Sequence, residues 1–365
     1  MLMSNEFKIN FKGYEFEDLK RRITDVRFPS FLCNSDWKLG TPTKALQAVL
    51  EQWNLYDWMP QQDYLNSFPQ FICQIGDVNL HFFHIKAVNP DTPTILMAHG
   101  WPDSFLRYSK IFPLLRDFNL VVPSIPGFGF STLPNKGWIN NADTAELWHT
   151  LMKDILGYNR YVVTGGDMGR GVLLYLAANH SEEVVGLHLT DVGAAGSIMT
   201  ASDDSLSPDY LDYKRSMLGW MRYDGAYINI QGSKPYSLGY GLSDSPAAMA
   251  GWLLEKFHDW SDWERLTMSD LLNNLTLYWM TRCASSSITA YHGNSFSLPP
   301  LGKVNQPVAI ARFPHDILPV PRRWIEENYN VVQFNEMPYG GHFTAMEAPE
   351  PFANDLINFV NQLNQ

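Results

Sequence analysis

The stretch VVTGGDMGRGVLLYLAANH, residues 162–180, decides how this chain folds. An apolar β-branched run leads into small residues around one carboxylate, Asp167, and a pattern with helical spacing follows. A strand, a sharp turn and a helix are typical of a nucleophile elbow, where glycines flank the central residue because a Cβ there would clash. The alternative is that Gly165 and Gly166 end a strand and Asp167 caps the helix, since Asp is a good N-cap. This stretch alone leaves both interpretations open.

Strands and helices alternate on both sides of this stretch. Residues 68–87, FPQFICQIGDVNLHFFHIKA, predict a β-hairpin that turns at Gly76-Asp77. Helical spacing recurs in FLRYSKIFPLL, around residues 142–156 and in the last segment. Further strands are predicted in TILMAHG, NLVVPSIPGFGFS, VVGLHLTDV, QPVAIARF and NVVQFNEM. Such alternation predicts an α/β fold with a mostly parallel sheet flanked by helices.

The patterns divide the chain into four segments. The α/β pattern occupies residues 68–195, the first part of the core, and residues 297–365, the second part. Between them, residues 196–296 are rich in Trp, Tyr, Met and Ser and have helical spacing, which predicts an inserted helical lid. Residues 1–67 combine short helices with several Trp and Pro. Because connections usually span about 4–6 residues, this first segment is predicted to wrap around the core.

Composition excludes several classes of protein. The chain has 365 residues, a net charge of -11 at pH 7 and no basic run, which argues against a nucleic-acid partner. No apolar segment reaches the ~18 residues of a membrane span, and the polar N-terminus does not suggest a signal peptide. Three cysteines, Cys33, Cys73 and Cys283, suit unpaired core thiols in a reducing compartment. We therefore expect a soluble, cytoplasmic protein without a membrane anchor.

No metal or other cofactor is expected. The residues His81 and His84 lie three apart on a predicted strand and so face opposite sides, and the chain has no HExxH motif.

Three other motifs favour the elbow. HGWP, residues 99–102, follows a strand where an oxyanion-binding loop belongs, so the N–H groups of Trp101 and Met168 could form an oxyanion hole. His342 lies in a glycine-flanked loop before the last helix, the chain position of a catalytic histidine. Asp316 follows the penultimate strand, where the acid that orients that histidine belongs. Asp191, after VVGLHLT, is the rival acid; we prefer Asp316 because its strand neighbours the one that leads to His342.

A series of motifs runs along nearly the whole chain: YDWMPQQDYLNSFPQF, HGWPDSF, PSIPGFGFS, TGGDMG, LSDSPAAMAGWLLEKF, LYWMTR, FPHDILPVPRRW and GGHFTAMEAPE. In these motifs and their order the chain resembles the microsomal-type epoxide hydrolases, including the juvenile-hormone epoxide hydrolases, within the α/β-hydrolase superfamily. The resemblance implies two lid tyrosines that hold the epoxide oxygen, here Tyr227 and Tyr291, and a substrate site that includes Trp101. Met168 departs from the family's usual Trp, and Asp316 stands where microsomal members often have Glu.

An aspartate nucleophile suits an epoxide. A serine attacking a saturated carbon would form an ether, whereas ionised Asp167 would form an ester that a water activated by His342 and Asp316 can hydrolyse to a vicinal diol. The aromatic and Met content of the lid predicts an apolar pocket for lipophilic epoxides. Two alternatives stay open, a haloalkane or haloacid dehalogenase with the same Asp-His-Asp triad and a non-catalytic ligand-binding homologue. The sequence also leaves open whether the protein is a homodimer and whether its role is detoxification, catabolism or biosynthesis.

Overall fold

A single mixed sheet runs through the centre of the protein. The computed structural model describes residues 4–30, 36–89 and 91–363, so Cys33 lies outside the described residues. Within these ranges the sheet has nine strands. They are β1 Ser4–Phe7, β2 Gln70–Ile75, β3 Val78–Ile85, β4 Thr94–Ala98, β5 Asn119–Pro123, β6 Tyr161–Gly165, β7 Val184–Leu189, β8 Pro307–Arg312 and β9 Asn330–Glu336.

The strand order confirms the predicted α/β class. The order is β1-β2-β3-β5-β4-β6-β7-β8-β9, with antiparallel pairing from β1 to β5 and parallel pairing from there to β9. The predicted hairpin is formed by β2 and β3, which turn at Gly76 with φ +59°. Since parallel strands end at the same edge, the carboxyl ends of β4, β6, β7 and β8 bring their following loops together.

Helices cover the sheet and form most of residues 196–296. They are α1 Gly13–Thr24, α2 Thr43–Leu55, α3 Met59–Asn66, α4 Asn141–Thr150, α5 Asp167–Asn179, α6 Gly196–Thr200, α7 Pro208–Tyr223, α8 Ala226–Ser233, α9 Pro235–Asp244, α10 Pro246–Trp260, α11 Met268–Met280, α12 Cys283–Ser287, α13 Thr289–Phe296, α14 Arg322–Asn328, α15 Thr344–Glu347 and α16 Pro349–Leu363. The division into core and lid remains a prediction.

Two predicted helices differ in detail, and a break falls within the helical residues 196–296. FLRYSKIFPLL forms a 3-10 helix, Phe105–Leu115, whose interior Pro113 lacks the N–H that an α-helix would use. The helix expected over residues 142–156 is α4 followed by one wider π-helical turn, Leu151–Ile155. Helices α11 and α12 are separated at Arg282, which has φ +58°.

The core lies on both faces of the sheet. Along β4, Leu96 and Ala98 pack on one face and Ile95 and Met97 on the other, and all four side chains are buried. Alternation places successive side chains on opposite faces, and a strand covered on both faces therefore consists of continuous apolar residues.

Two further features bear on the expectations from composition. Cys73 and Cys283 are buried free thiols, as expected. In the described part of the chain, none of the helices combines the length and apolar character needed to cross a membrane.

Candidate active site

Asp167 occupies a sharp turn between β6 and α5. Its φ is +53°, in the left-handed region that non-glycine residues rarely adopt. The chain passes close by on several sides: a Cβ on Gly169 would lie 2.5 Å from the carbonyl oxygen of His99, and a Cβ on Gly166 would lie 2.2 Å from Thr190 Oγ1. The glycines around Asp167 therefore allow the close backbone approach that the elbow interpretation predicts.

The two carboxylate oxygens of Asp167 have different partners. The backbone N–H of Trp101 donates to Oδ1 at 2.8 Å, and the N–H of Met168 also interacts with the carboxylate. Nε2 of His342 lies 3.3 Å from Oδ2. The residues predicted for the oxyanion hole and for the base thus meet at the predicted nucleophile, on opposite oxygens.

His342 joins Asp167 to Asp316. Its Nδ1 lies 2.7 Å from Asp316 Oδ1. Burial alone would lower the pKa of His342, but the charge of Asp316, the close contact with the Asp167 carboxylate and the hydrogen bond to Asp316 together raise it to about 10. Burial alone would raise the pKa of Asp167, but His342 and the N–H groups of Trp101 and Met168 lower it to about 2. The resting site is therefore an imidazolium between two carboxylates at neutral pH.

The rival acid, Asp191, contacts the elbow instead of the imidazole. Its Oδ2 accepts the backbone N–H of Asp167 at 2.6 Å, and its Oδ1 accepts the N–H of Gly193 at 3.0 Å. Arg170 Nη1 lies 3.3 Å from Oδ1. Burial raises the pKa of Asp191, and the charge of Arg170 opposes that rise. This geometry favours Asp316 as the acid and gives Asp191 a part in holding the strained turn.

Tyr227 and Tyr291, which lie 64 residues apart in sequence, come together beside Trp101. The Tyr227 ring stacks on Trp101 at 5.3 Å and 15°, whereas Tyr291 meets Trp101 edge to face at 5.7 Å and 87°. The two tyrosine rings are 5.7 Å apart, and Trp260 lies 5.4 Å from Tyr227. We call Trp101, Tyr227, Trp260 and Tyr291 the aromatic cluster. Burial raises the pKa of both tyrosines, which therefore stay protonated at neutral pH.

Two buried charged residues that the sequence analysis missed hold the His342 loop. Glu347 accepts backbone N–H groups on both sides of the histidine, from Gly341 at 2.8 Å and from Phe343 at 2.7 Å. Arg107 Nη1 donates to the carbonyl oxygen of His342 at 2.9 Å. Burial raises the pKa of Glu347 to about 7. In the sequence Glu347 looks like any acid shortly before the last helix, so only its burial in the structure identifies it.

A cavity of about 240 Å³ lies against Asp167, Asp316 and His342. Most of its remaining wall is apolar. The wall includes Met217, Trp220, Ile228, Phe313, Leu318 and Ile325. Sites of this kind hold small molecules with a few polar groups fixed in an apolar surface.

Comparisons with known proteins point in one direction. A family model described as epoxide hydrolase N terminus matches residues 4–108, and one described as alpha/beta hydrolase fold matches residues 93–226. A putative epoxide hydrolase of Stigmatella aurantiaca is 35% identical, over 98% of this chain and 84% of that protein. The structure of Aspergillus niger epoxide hydrolase superposes with a TM-score of 0.89 at 31% identity, over 98% of this chain and 96% of that one. Juvenile hormone epoxide hydrolase from the silkworm Bombyx mori gives a TM-score of 0.89 at 28% identity, over 100% and 95%. The similarity therefore includes the helical segment between the two parts of the sheet.

Proposed function

Since this chain belongs to the epoxide hydrolase family and is an enzyme that hydrolyses epoxides, we propose that it converts lipophilic epoxides to vicinal diols through an ester of Asp167. The observation that supports this mechanism is that the two carboxylate oxygens of Asp167 have different partners. Oδ1 is held by the N–H of Trp101, while Oδ2 faces His342. One oxygen is thus placed to become the carbonyl of an ester and the other to form the new bond.

In the first half-reaction Oδ2 of Asp167 attacks a ring carbon of the epoxide, and the bond from that carbon to the ring oxygen breaks. Tyr227 and Tyr291 donate to the leaving oxygen, and one of them transfers its proton, which solvent then restores. With a pKa of about 2, Asp167 is ionised and needs no base. Ester formation removes the negative charge of Asp167, which is one cause of the raised pKa of His342. Once the ester has formed, the imidazolium releases its proton to solvent, and neutral His342 becomes a base only after the nucleophile has reacted.

In the second half-reaction His342 takes a proton from water, and the hydroxide oxygen bonds to Cγ of the ester. The charge that forms on Oδ1 is held by the N–H groups of Trp101 and Met168. The bond between Cγ and Oδ2 then breaks, and the imidazolium gives its proton to the departing alkoxide. The diol leaves with Oδ2, and the new carboxylic acid of Asp167 passes the second proton of the water to His342, which restores the resting imidazolium and carboxylate. Asp316, at 2.7 Å from Nδ1, orients the ring throughout.

The apolar wall of the cavity supports lipophilic substrates. The dehalogenase alternative is less well supported, because Met168 offers no side-chain N–H to a halide at the position after the nucleophile.

We also propose a cytoplasmic location, which the free thiols of Cys73 and Cys283 support, since such thiols suit a reducing compartment.

The decisive experiment is a single turnover of styrene oxide in ¹⁸O-labelled water, with the diol analysed by mass spectrometry. We expect the diol of the single turnover to be unlabelled, because its new oxygen is Oδ2 of Asp167, and diol from a parallel multiple-turnover reaction to carry label. Asp167→Asn should abolish or delay the reaction. Asp203→Asn, the same change at a carboxylate whose side chain is 61% exposed, should leave it unaltered. Label in the first diol would show direct attack by water and overturn the role of Asp167.

A further inference from the structure

A lysine of α10 is buried against the aromatic cluster. Lys256 is 3% exposed, and its Nζ lies 4.9 Å from the ring centroid of Tyr227. The rings of Trp260 and Trp252 lie 5.8 Å and 5.9 Å from the same atom. Glu255 Oε1, at 2.5 Å, is its ion-pair partner. The ammonium is therefore surrounded by aromatic faces, with one of them belonging to a tyrosine that donates to the epoxide.

A buried ammonium needs a reason to be retained. Burying a charge is costly unless it is paired, and an apolar side chain of similar length would pack between the same rings. Glu255 offsets part of that cost, and aromatic faces attract a cation through the negative face of their π-systems. These contacts explain how the charge is tolerated, but not what it does.

Tyr227 presents the chemical problem that such a charge would solve. Burial raises the pKa of its phenol, and the negative charge of Asp167 raises it further. Both effects oppose the build-up of negative charge on Tyr227, although charge must build up there when the epoxide oxygen takes its hydrogen bond. A fixed positive charge beside the ring acts in the opposite sense, and it acts strongly because the surroundings exclude water.

We propose that Lys256 is a positioning residue for epoxide opening, whose ammonium stabilises the charge that develops on Tyr227. The proposal rests on the function proposed above, in which Tyr227 donates to the leaving oxygen. Lys256 exchanges no proton and forms no bond in this scheme. It acts only in the first half-reaction, since ester hydrolysis places its charge on Asp167 Oδ1 at the N–H groups of Trp101 and Met168.

A purely structural role is the competing explanation. The indole N–H of Trp252 on α10 donates to Gln231 Oε1 on α8 at 3.0 Å, so α8 and α10 already pack together, and Lys256 could simply fill space between them. A test must therefore measure something that altered packing would not change. The basicity of the leaving alkoxide is such a quantity, because a group that helps the leaving oxygen matters most when that oxygen is a poor leaving group.

The experiment compares Lys256→Met, Lys256→Gln and Lys256→Arg with wild type on 1,2-epoxypropane and its trifluoromethyl analogue, 3,3,3-trifluoro-1,2-epoxypropane. Fluorination makes the leaving alkoxide less basic at similar molecular size. Ester formation and ester hydrolysis are timed separately in single turnovers by intact-protein mass spectrometry. Lys136→Met is the matched control, because Lys136 also lies over an aromatic ring, Trp138 at 4.0 Å, but is 42% exposed and outside the site.

We expect the two neutral variants to form the ester of 1,2-epoxypropane about 10–100-fold more slowly and that of the fluorinated epoxide less than about 5-fold more slowly. Ester hydrolysis should be unchanged, Lys256→Arg should recover most of the rate, and the control should match wild type. Equal losses on both epoxides, or a matching loss in ester hydrolysis, would overturn the proposal in favour of packing. If Lys256→Met fails to fold, Gln against Arg gives the same comparison. If instead wild type forms no ester on Asp167, it is the proposed function that fails.

Discussion

The elbow and the aromatic cluster line one site and solve opposite electrostatic problems. At the elbow, Asp167, His342 and Asp316 are in direct contact, at 3.3 Å and 2.7 Å, and carry their charges before substrate arrives. In the aromatic cluster, buried Tyr227 and Tyr291 are neutral, and in the proposed mechanism they acquire charge only as the epoxide opens. The elbow must therefore hold existing charge, whereas the cluster must tolerate charge that appears briefly.

The difference also separates the two half-reactions. In the proposed mechanism the cluster donates to the leaving oxygen in the first half-reaction, and the oxyanion hole and the imidazole act on the ester in the second. Variants at the two places should consequently slow different steps.

The largest effect is expected from His342→Gln. Loss of the general base should slow ester hydrolysis by about 10³-fold or more, while the ester of Asp167 still forms. Intact-protein mass spectrometry should show the enzyme accumulating as a covalent adduct of one substrate. Rapid turnover without an adduct would show that His342 is not needed for ester hydrolysis and would contradict the assignment of the second half-reaction to the elbow.

The choice between the two acids is tested next. Asp316→Asn should slow ester hydrolysis by about 10²–10⁴-fold, because the ring loses its orienting carboxylate, whereas Asp191→Asn should slow it much less, since an amide oxygen can still accept the N–H of Asp167. Single-turnover rates of ester hydrolysis in the two variants show which acid contributes more. A larger loss in Asp191→Asn would reverse our assignment.

The contact between His342 and Asp316 should also be visible in the pH dependence of stability. The pKa of His342 is raised from 6.5 to about 10, so its imidazolium stabilises the fold fully below pH 6.5, and this contribution is lost as pH rises through 10. In Asp316→Asn the loss should move to lower pH, because the charge of Asp316 that raises the pKa is gone. NMR titration of the His342 ring measures its pKa, and urea unfolding at several pH values measures the pH dependence of stability. An unchanged ring titration would contradict the charge contact.

A smaller effect is expected at the tyrosines. Tyr227→Phe and Tyr291→Phe should each slow ester formation by about 10–100-fold, with hydrolysis of the ester unaffected, because either phenol alone can still donate to the leaving oxygen. The double variant should lose more than either single variant. Stopped-flow and quench measurements of each step provide the test, with Tyr236→Phe, at a 62% exposed ring, as the control. Slower hydrolysis in these variants would mean that the two regions are not separate.

The smallest effect is on stability. Gly169→Ala should destabilise the fold by about 1–3 kcal/mol, because the new Cβ would lie 2.5 Å from the His99 carbonyl oxygen. Gly219→Ala, in helix α7 with nothing within 4 Å of the new Cβ, should instead stabilise it by about 0.5–1 kcal/mol. Urea unfolding of the two variants measures the difference. Equal stabilities would mean that the elbow relaxes more readily than its close contacts suggest.

Most of the fold could be predicted because its signals are local. Apolar runs, their periods and the glycines of the Asp167 turn recur within a few residues of one another, and they determine strands, helices and a mostly parallel sheet. The corrections are local too: the helix expected over residues 105–115 is a 3-10 helix with Pro113 in its interior, and helical spacing of apolar residues does not distinguish the two helix types.

The sequence by itself determined the α/β class, the family and the residues to examine, because the motifs and their order are visible without a structure. The tertiary structure alone decided which of those residues touch: that Asp191 holds the elbow N–H, that Glu347 clamps the His342 loop, and that Lys256 lies over Tyr227. The contacts of Asp191 and Lys256 join different elements, 24 residues apart for Asp167 and Asp191, and depend on tertiary packing, whereas the Glu347 contact is short in sequence and becomes important because Glu347 is buried. Whether a charged side chain is buried, and which groups surround it, depends on tertiary packing. A buried acid or lysine therefore looks in the sequence like any residue of a solvated helix face.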